Sequence, residues 1–107
     1  MNDIQMMEAS RHLAERILRE GGKDAKSQAT WAFELATARL PEAKETEALL
    51  DVYQYGLKEF SEEPERAKAL LSIGDSARDE TLLAEQQAAW TVVASMLLNL
   101  DEVLTRN

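Results

Sequence analysis

The chain's one histidine, His12, lies between two glutamates at helical contact spacing, Glu8 four residues before it and Glu15 three after. A carboxylate–imidazole pair of this kind can join a carboxylate-rich metal site. Metal sites inside four-helix proteins, however, repeat the motif on a second helix, and no second copy is present. A single histidine also lacks the partners that a nucleophilic triad or a zinc site requires. His12 is therefore read as a structural residue, at the surface or half-buried. The acidic pairs Glu62-Glu63 and Asp79-Glu80 are read as a solvated face. The stretch Gly74-Asp75-Ser76-Ala77-Arg78-Asp79 has two aspartates but not the remaining ligands of a calcium loop. No glycine-rich phosphate loop, nucleophile elbow or His-Glu-x-x-His motif occurs. No catalytic residue, metal ligand or cofactor is expected, and the chain is read as a non-enzyme.

Two further sets of residues are candidates for binding or for architecture. Trp31, Tyr53, Tyr55, Phe60 and Trp90 are the aromatic side chains that could line a pocket. Their helical spacing favours a core role, with Tyr55 the most exposed because it lies off the stripe of its helix. Tyr55 and Trp31 are the candidate ligand or partner contacts. Asn99 stands between Leu98 and Leu100 in an apolar stretch. A buried amide must find hydrogen-bond partners, so Asn99 is expected to tie a neighbouring helix end, or the 74–79 loop, onto the last helix. Asp101 and Glu102 are expected to pair with Arg39, Arg78 or a basic residue of the first helix.

These residues are positioned by helices, for strand-like alternation is nowhere sustained. A stripe of Ile4, Met6, Met7, Leu13, Ile17 and Leu18 predicts a first helix over Asp3 to Glu20, stopped by Gly21-Gly22. Asp24 or Ser27 caps a second helix running to Leu40, with Trp31, Leu35 and Ala38 on one flank and Ala29, Phe33, Ala36 and Leu40 on the next. Pro41 ends it and can open a third helix, Glu42 to Glu62, whose stripe is Thr46, Leu49, Leu50, Tyr53, Leu57 and Phe60. Pro64 opens a short helix that touches the core through Ala67, Leu70 and Leu71. Residues 74–79 form a polar loop, and Asp79 is the expected N-cap of a last helix, Glu80 to Thr105, apolar on most sides. The fold class is all-α: a single compact domain, residues 1–107, of four to five helices around a central, mostly buried C-terminal helix.

A chain of 107 residues suits one domain. It has no cysteine, which excludes disulfides, thiolate chemistry and c-type haem attachment within it. The first forty residues carry six acidic and six basic side chains, so residues 41–107 supply the whole net charge of −8. Such acidity repels phosphate backbones and anionic membrane surfaces, so nucleic acid is not an expected partner. The longest uncharged run, Gln86 to Leu100, includes Gln, Thr, Ser and Asn. It falls short of the roughly 20 apolar residues that cross a bilayer, so membrane insertion is not expected. The N-terminus has no basic flank followed by an apolar core, so no signal peptide is read there.

The stretch Trp90-Thr-Val-Val-Ala-Ser-Met-Leu-Leu-Asn-Leu-Asp-Glu-Val-Leu-Thr-Arg106-Asn107 carries the one family resemblance. It resembles the C-terminal end of large planctomycete-type proteins that combine cytochrome c-like domains with two domains of unknown function. In that family a Trp, an apolar helix and Leu-Leu-Asn-Leu-Asp-Glu followed by Thr-Arg close the chain. The matching positions here are Trp90, Leu97, Leu98, Asn99, Leu100, Asp101, Glu102, Thr105 and Arg106. Three further segments are similar in order: Leu13 to Gly22, Phe33 to Pro41, and Ala69 to Ser76. The resemblance implies a C-terminal accessory module of a larger, exported protein, with no established catalytic residues to carry over. Its expected partners are the parent's other domains or a separate protein. Trp90, Asn99, Asp101, Glu102 and Arg106 are its structural motif. A small-ligand or carbohydrate-binding module is the alternative.

Overall fold

A computed structural model describes the backbone of residues 2–105 and the side chains of residues 2–100. Five helices follow in order: α1 (Asp3–Glu20), α2 (Ala25–Thr37), α3 (Ala43–Glu62), α4 (Pro64–Leu71) and α5 (Ala84–Thr105). No strand occurs among the described residues. Local chemistry explains most of the boundaries. Asn2 accepts the Gln5 amide at 2.8 Å and the Gln5 side chain accepts the Asn2 amide at 3.1 Å, a reciprocal cap for α1. Asp24 accepts the Ser27 amide at 2.8 Å and opens α2. Pro64 occupies the first turn of α4, where a missing N–H costs no hydrogen bond. Gly22 supplies the positive φ of 106° that turns the chain after α1.

Helix α5 runs through the centre and packs against each of the other four. Its Ala88, Ala89, Trp90, Val93, Ala94 and Leu97 are buried. Trp90 joins three helices. Its ring stacks on Tyr53 of α3 at 4.2 Å between centroids, and its indole N–H donates to the Gln28 side-chain oxygen of α2 at 3.1 Å. Gln28 in turn donates to the Gly22 carbonyl at 3.0 Å, so the buried amide is satisfied on both sides. Gly56 lets α3 approach α5 closely, since a Cβ there would stand 3.3 Å from the Ala89 methyl.

Several expectations need correction. Helix α2 ends at Thr37 rather than Leu40, because Ala38 takes the left-handed conformation with φ 62°. The Arg39 guanidinium then lies 4.8 Å over the Phe33 ring and grips Glu45 through two hydrogen bonds of 2.9 and 2.8 Å. That grip is the main cause holding the Glu45 carboxyl down at about 2. Leu40, beyond the cap, is exposed, as are Ile4 and Leu35. Helix α5 begins at Ala84 rather than Glu80. Asp79 spends one carboxylate oxygen on the Thr81 amide and the other on Arg19, so it caps a separate turn before the helix.

Asn99 is exposed rather than buried. It lies nine residues beyond Trp90, and at 100° per residue that is half a revolution around the helix from the buried face. The resemblance motif is therefore split across two faces of α5. The side chains of Asp101 and Glu102, and the whole of Arg106, lie outside the described residues. Replacing Asn99 with leucine is expected to change unfolding free energy by less than about 0.5 kcal/mol, as for most surface positions. Urea denaturation checks this, and a loss above about 1 kcal/mol would restore a bonded, structural amide.

Candidate functional site

The polar chemistry of the described residues is concentrated where one face of α1 meets the connection between α4 and α5. Glu8, Arg11 or His12, Glu15 and Arg19 follow one another at steps of three or four residues and so share that side of the helix. The connection, residues 72–83, forms no helix of its own, and its polar groups are taken up largely by α1 side chains. The Glu8 carboxylate accepts the amides of Asp75 at 2.6 Å and Ser76 at 2.9 Å, and the Ser76 hydroxyl at 3.0 Å. Gly74 makes this approach feasible. Its φ of 96° suits glycine, and a Cβ there would fall 2.5 Å from the Glu8 carboxylate.

Arg11 and Glu15 lie deeper, 2% and 8% exposed. Arg11 donates to the carbonyls of Ile73 and Ser76, while its Nε has no hydrogen-bond partner among the described residues. Glu15 accepts the Asp79 amide at 2.9 Å and the Gln87 side-chain amide of α5 at 2.8 Å. Arg78 closes the circuit by donating to the Gln87 oxygen at 2.8 Å and to the Leu82 carbonyl at 3.1 Å. Arg19 reaches the Asp79 carboxylate at 2.7 Å. The buried amide that ties the connection to the last helix is thus Gln87, in the role expected of Asn99.

This cluster brings a serine, a histidine and a carboxylate together, with His12 Nε2 at 3.1 Å from Ser76 Oγ. The direction of its hydrogen bonds decides its chemistry. Ser76 has one hydroxyl proton, and Glu8, an acceptor when ionised, takes it. His12 Nε2 must then donate to Ser76, whereas a nucleophilic serine needs its histidine to accept. Glu8 is also a poor base. Hydrogen bonds from the Ser76 amide, the Ser76 hydroxyl and the Asp75 amide, with the nearby His12 charge, hold its carboxyl below the usual range. Asp79 is held down to about 2, chiefly by the Thr81 hydroxyl and then by Arg19. Both shifts stabilise the ionised forms and hence the fastened loop. In chemical terms the arrangement is a staple.

Among the sequence-derived candidates, Trp90 is buried, Trp31 is half-buried beneath the Arg16 guanidinium at 5.3 Å, and Tyr55 is 70% exposed. The structure does not bring Trp31, Tyr55 and Trp90 into one pocket. Tyr55 borders a cleft of about 300 Å³ with Val52, Phe60, Arg66 and Val92. Arg39 and Arg78, proposed partners of Asp101 and Glu102, hold Glu45 and Gln87 respectively. The paired spacing of Glu8 and Glu15 about His12 was visible in the sequence, but their true partners, 64 to 72 residues away, were not.

A more apolar depression of about 480 Å³ lies between α1, α2 and α5. Ala9, Leu13, Leu35, Ala36 and Leu98 line it, and His12 and Arg16 stand among them. Among the described residues no cluster of three or more histidine or acidic side chains is placed to hold a metal ion, and no helix is long and apolar enough to cross a membrane. No family model, curated protein or solved structure matches the chain.

Proposed function

We propose that this chain is a non-catalytic helical interaction module, an accessory part of a larger exported protein of the family its C-terminal stretch resembles. It contacts that protein's other domains, or a separate protein partner, through the groove between α1, α2 and α5. The observation that carries this reading is the groove itself. Leu35 is 47% exposed beside Leu98, Leu13 and Ala36, so apolar surface lies open on a chain rich in charge. The α1 cluster supports the same reading, because its polar side chains are consumed in fastening the 72–83 connection.

Leu35→Asp tests the proposal. An exposed position tolerates the change with little effect on folding, about 0.5 kcal/mol or less, whereas a contact surface does not. The expected result is an unchanged melting curve together with at least tenfold weaker association with the remainder of the full-length native product. Full-length association insensitive to Leu35→Asp would sink the groove as the contact. A native product of only about 12 kDa would remove the larger parent.

A ligand-binding module is the second reading, and Tyr55 is the observation that favours it. The ring is open to solvent above a cleft and can offer a face to a sugar or an aromatic ligand. Tyr55→Ala separates the two readings, since it would abolish ligand binding and leave association through the α1–α2–α5 groove intact.

A further inference from the structure

We propose that the 72–83 connection is a strap that opens from its Gly74–Ser76 end, independently of the helical core, when Glu8 loses its charge. The two ends of the strap are fastened differently. At the Gly74–Ser76 end one carboxylate oxygen, Glu8 Oε2, takes two backbone amides and a hydroxyl, beside the two carbonyls held by Arg11 and the His12–Ser76 contact. At the other end Glu15, Arg19, Arg78 and Gln87 share the load around Asp79. Neutralising Glu8 removes an ionised acceptor from three donors at once and leaves that end to Arg11 and His12, whereas the far end keeps all of its contacts. The strap is fastened to α1 and α5 through polar contacts; its Ile73 and Leu82 are half-buried but outside the core cluster, and Leu83 is exposed. Its opening therefore does not require the buried packing around Trp90 to break, which is the condition for a local rather than a global transition.

The charged groups around this latch set its response. On α1 they are Arg11, His12, Glu15 and Arg19; on the strap they are Asp75, Arg78, Asp79 and Glu80; α4 contributes Lys68, which shares a depression with Asp75, Ser76 and Arg78. From α5 the neighbouring group is the uncharged Gln87. Glu8 is depressed in the folded chain, so its contribution is present above the ordinary carboxylate range and is lost as pH falls through its folded value. Asp79, at about 2, stays ionised and keeps its pairing with Arg19 through that window. Opening requires the buried Arg11 to release the carbonyls of Ile73 and Ser76.

Native-state hydrogen exchange followed by NMR tests the strap in the whole chain. At pH 7, Glu8→Gln is expected to lower protection of the Asp75 and Ser76 amides at least tenfold. Amides in the middle of α3 and α5 are expected to keep theirs. In the wild-type chain the same two amides are expected to lose protection as pH falls below the ordinary carboxylate range, ahead of the core. Unchanged protection at Asp75 and Ser76 in the variant overturns the proposal, as does their loss in step with the α5 amides. The wild-type titration carries the test by itself if the variant does not fold.

Discussion

Truncating Trp90 to alanine is expected to destabilise the fold by about 3–5 kcal/mol, the range for deleting a large buried aromatic. Trp90 is fully buried in the N-terminal third of α5, and its loss leaves a cavity bounded by α2, α3 and α5. Two further terms add to the lost burial. The Tyr53 ring loses its stacking partner at 4.2 Å, and aromatic pairs of this kind are worth about 0.5–1.5 kcal/mol beyond area. The Gln28 oxygen loses its donor inside the protein. Small domains have only about 5–15 kcal/mol in total, so much of this chain's stability rests on one side chain. Urea unfolding followed by circular dichroism measures the effect. A loss below about 1 kcal/mol would mean that the α2–α3–α5 junction is not the core.

The second large effect is expected at Glu15, a residue that hydrophobic patterning alone would place on a solvated face. Replacing it with leucine removes the acceptor for the Asp79 amide and for the buried Gln87 side chain. An unsatisfied buried donor costs about 1–3 kcal/mol, so the expected loss is about 2–4 kcal/mol. Arg19 loses one of its two carboxylates but keeps Asp79, and that exposed pairing contributes little. Glu15→Gln should recover part of the loss, because its side-chain oxygen still accepts one of the two donors. Equal destabilisation by leucine and glutamine would point to the charge, not the hydrogen bonds, as the essential property. Stability unchanged in both would show that the connection is not fastened through Glu15.

Much of the architecture was legible because helix formation answers to local chemistry. The stripe from Leu13 to Ile17, the Asp24 cap, the proline in the first turn of α4 and the continuous apolar run of α5 each act within one or two turns. A periodic reading therefore gave four to five helices and a central last one. It failed where local rules gave two answers. Asp79 is as good a cap for a turn as for a helix, and its pairing with Arg19, sixty residues earlier, goes with the turn. Leu40 fits an apolar flank only if α2 continues, and Ala38 ends it. Asn99 was read from its apolar neighbours, although its angular distance from Trp90 places it on the opposite face.

The polar interior divides the two kinds of information most clearly. The sequence by itself determined that Glu8, His12 and Glu15 lie within reach of one another on α1, that Trp90 anchors a buried helix, and that the acidic charge gathers after residue 40. Only the tertiary structure decided what those carboxylates hold. Glu8 meets Ser76 and Glu15 meets Gln87 across sequence separations of 68 and 72 residues. Helical periodicity extends over a few turns, whereas a hydrogen bond between a carboxylate and a distant backbone amide depends on how whole helices pack. The same packing directs the Ser76 proton to Glu8 rather than to His12, so a serine, a histidine and a glutamate that are adjacent in space form a fastening.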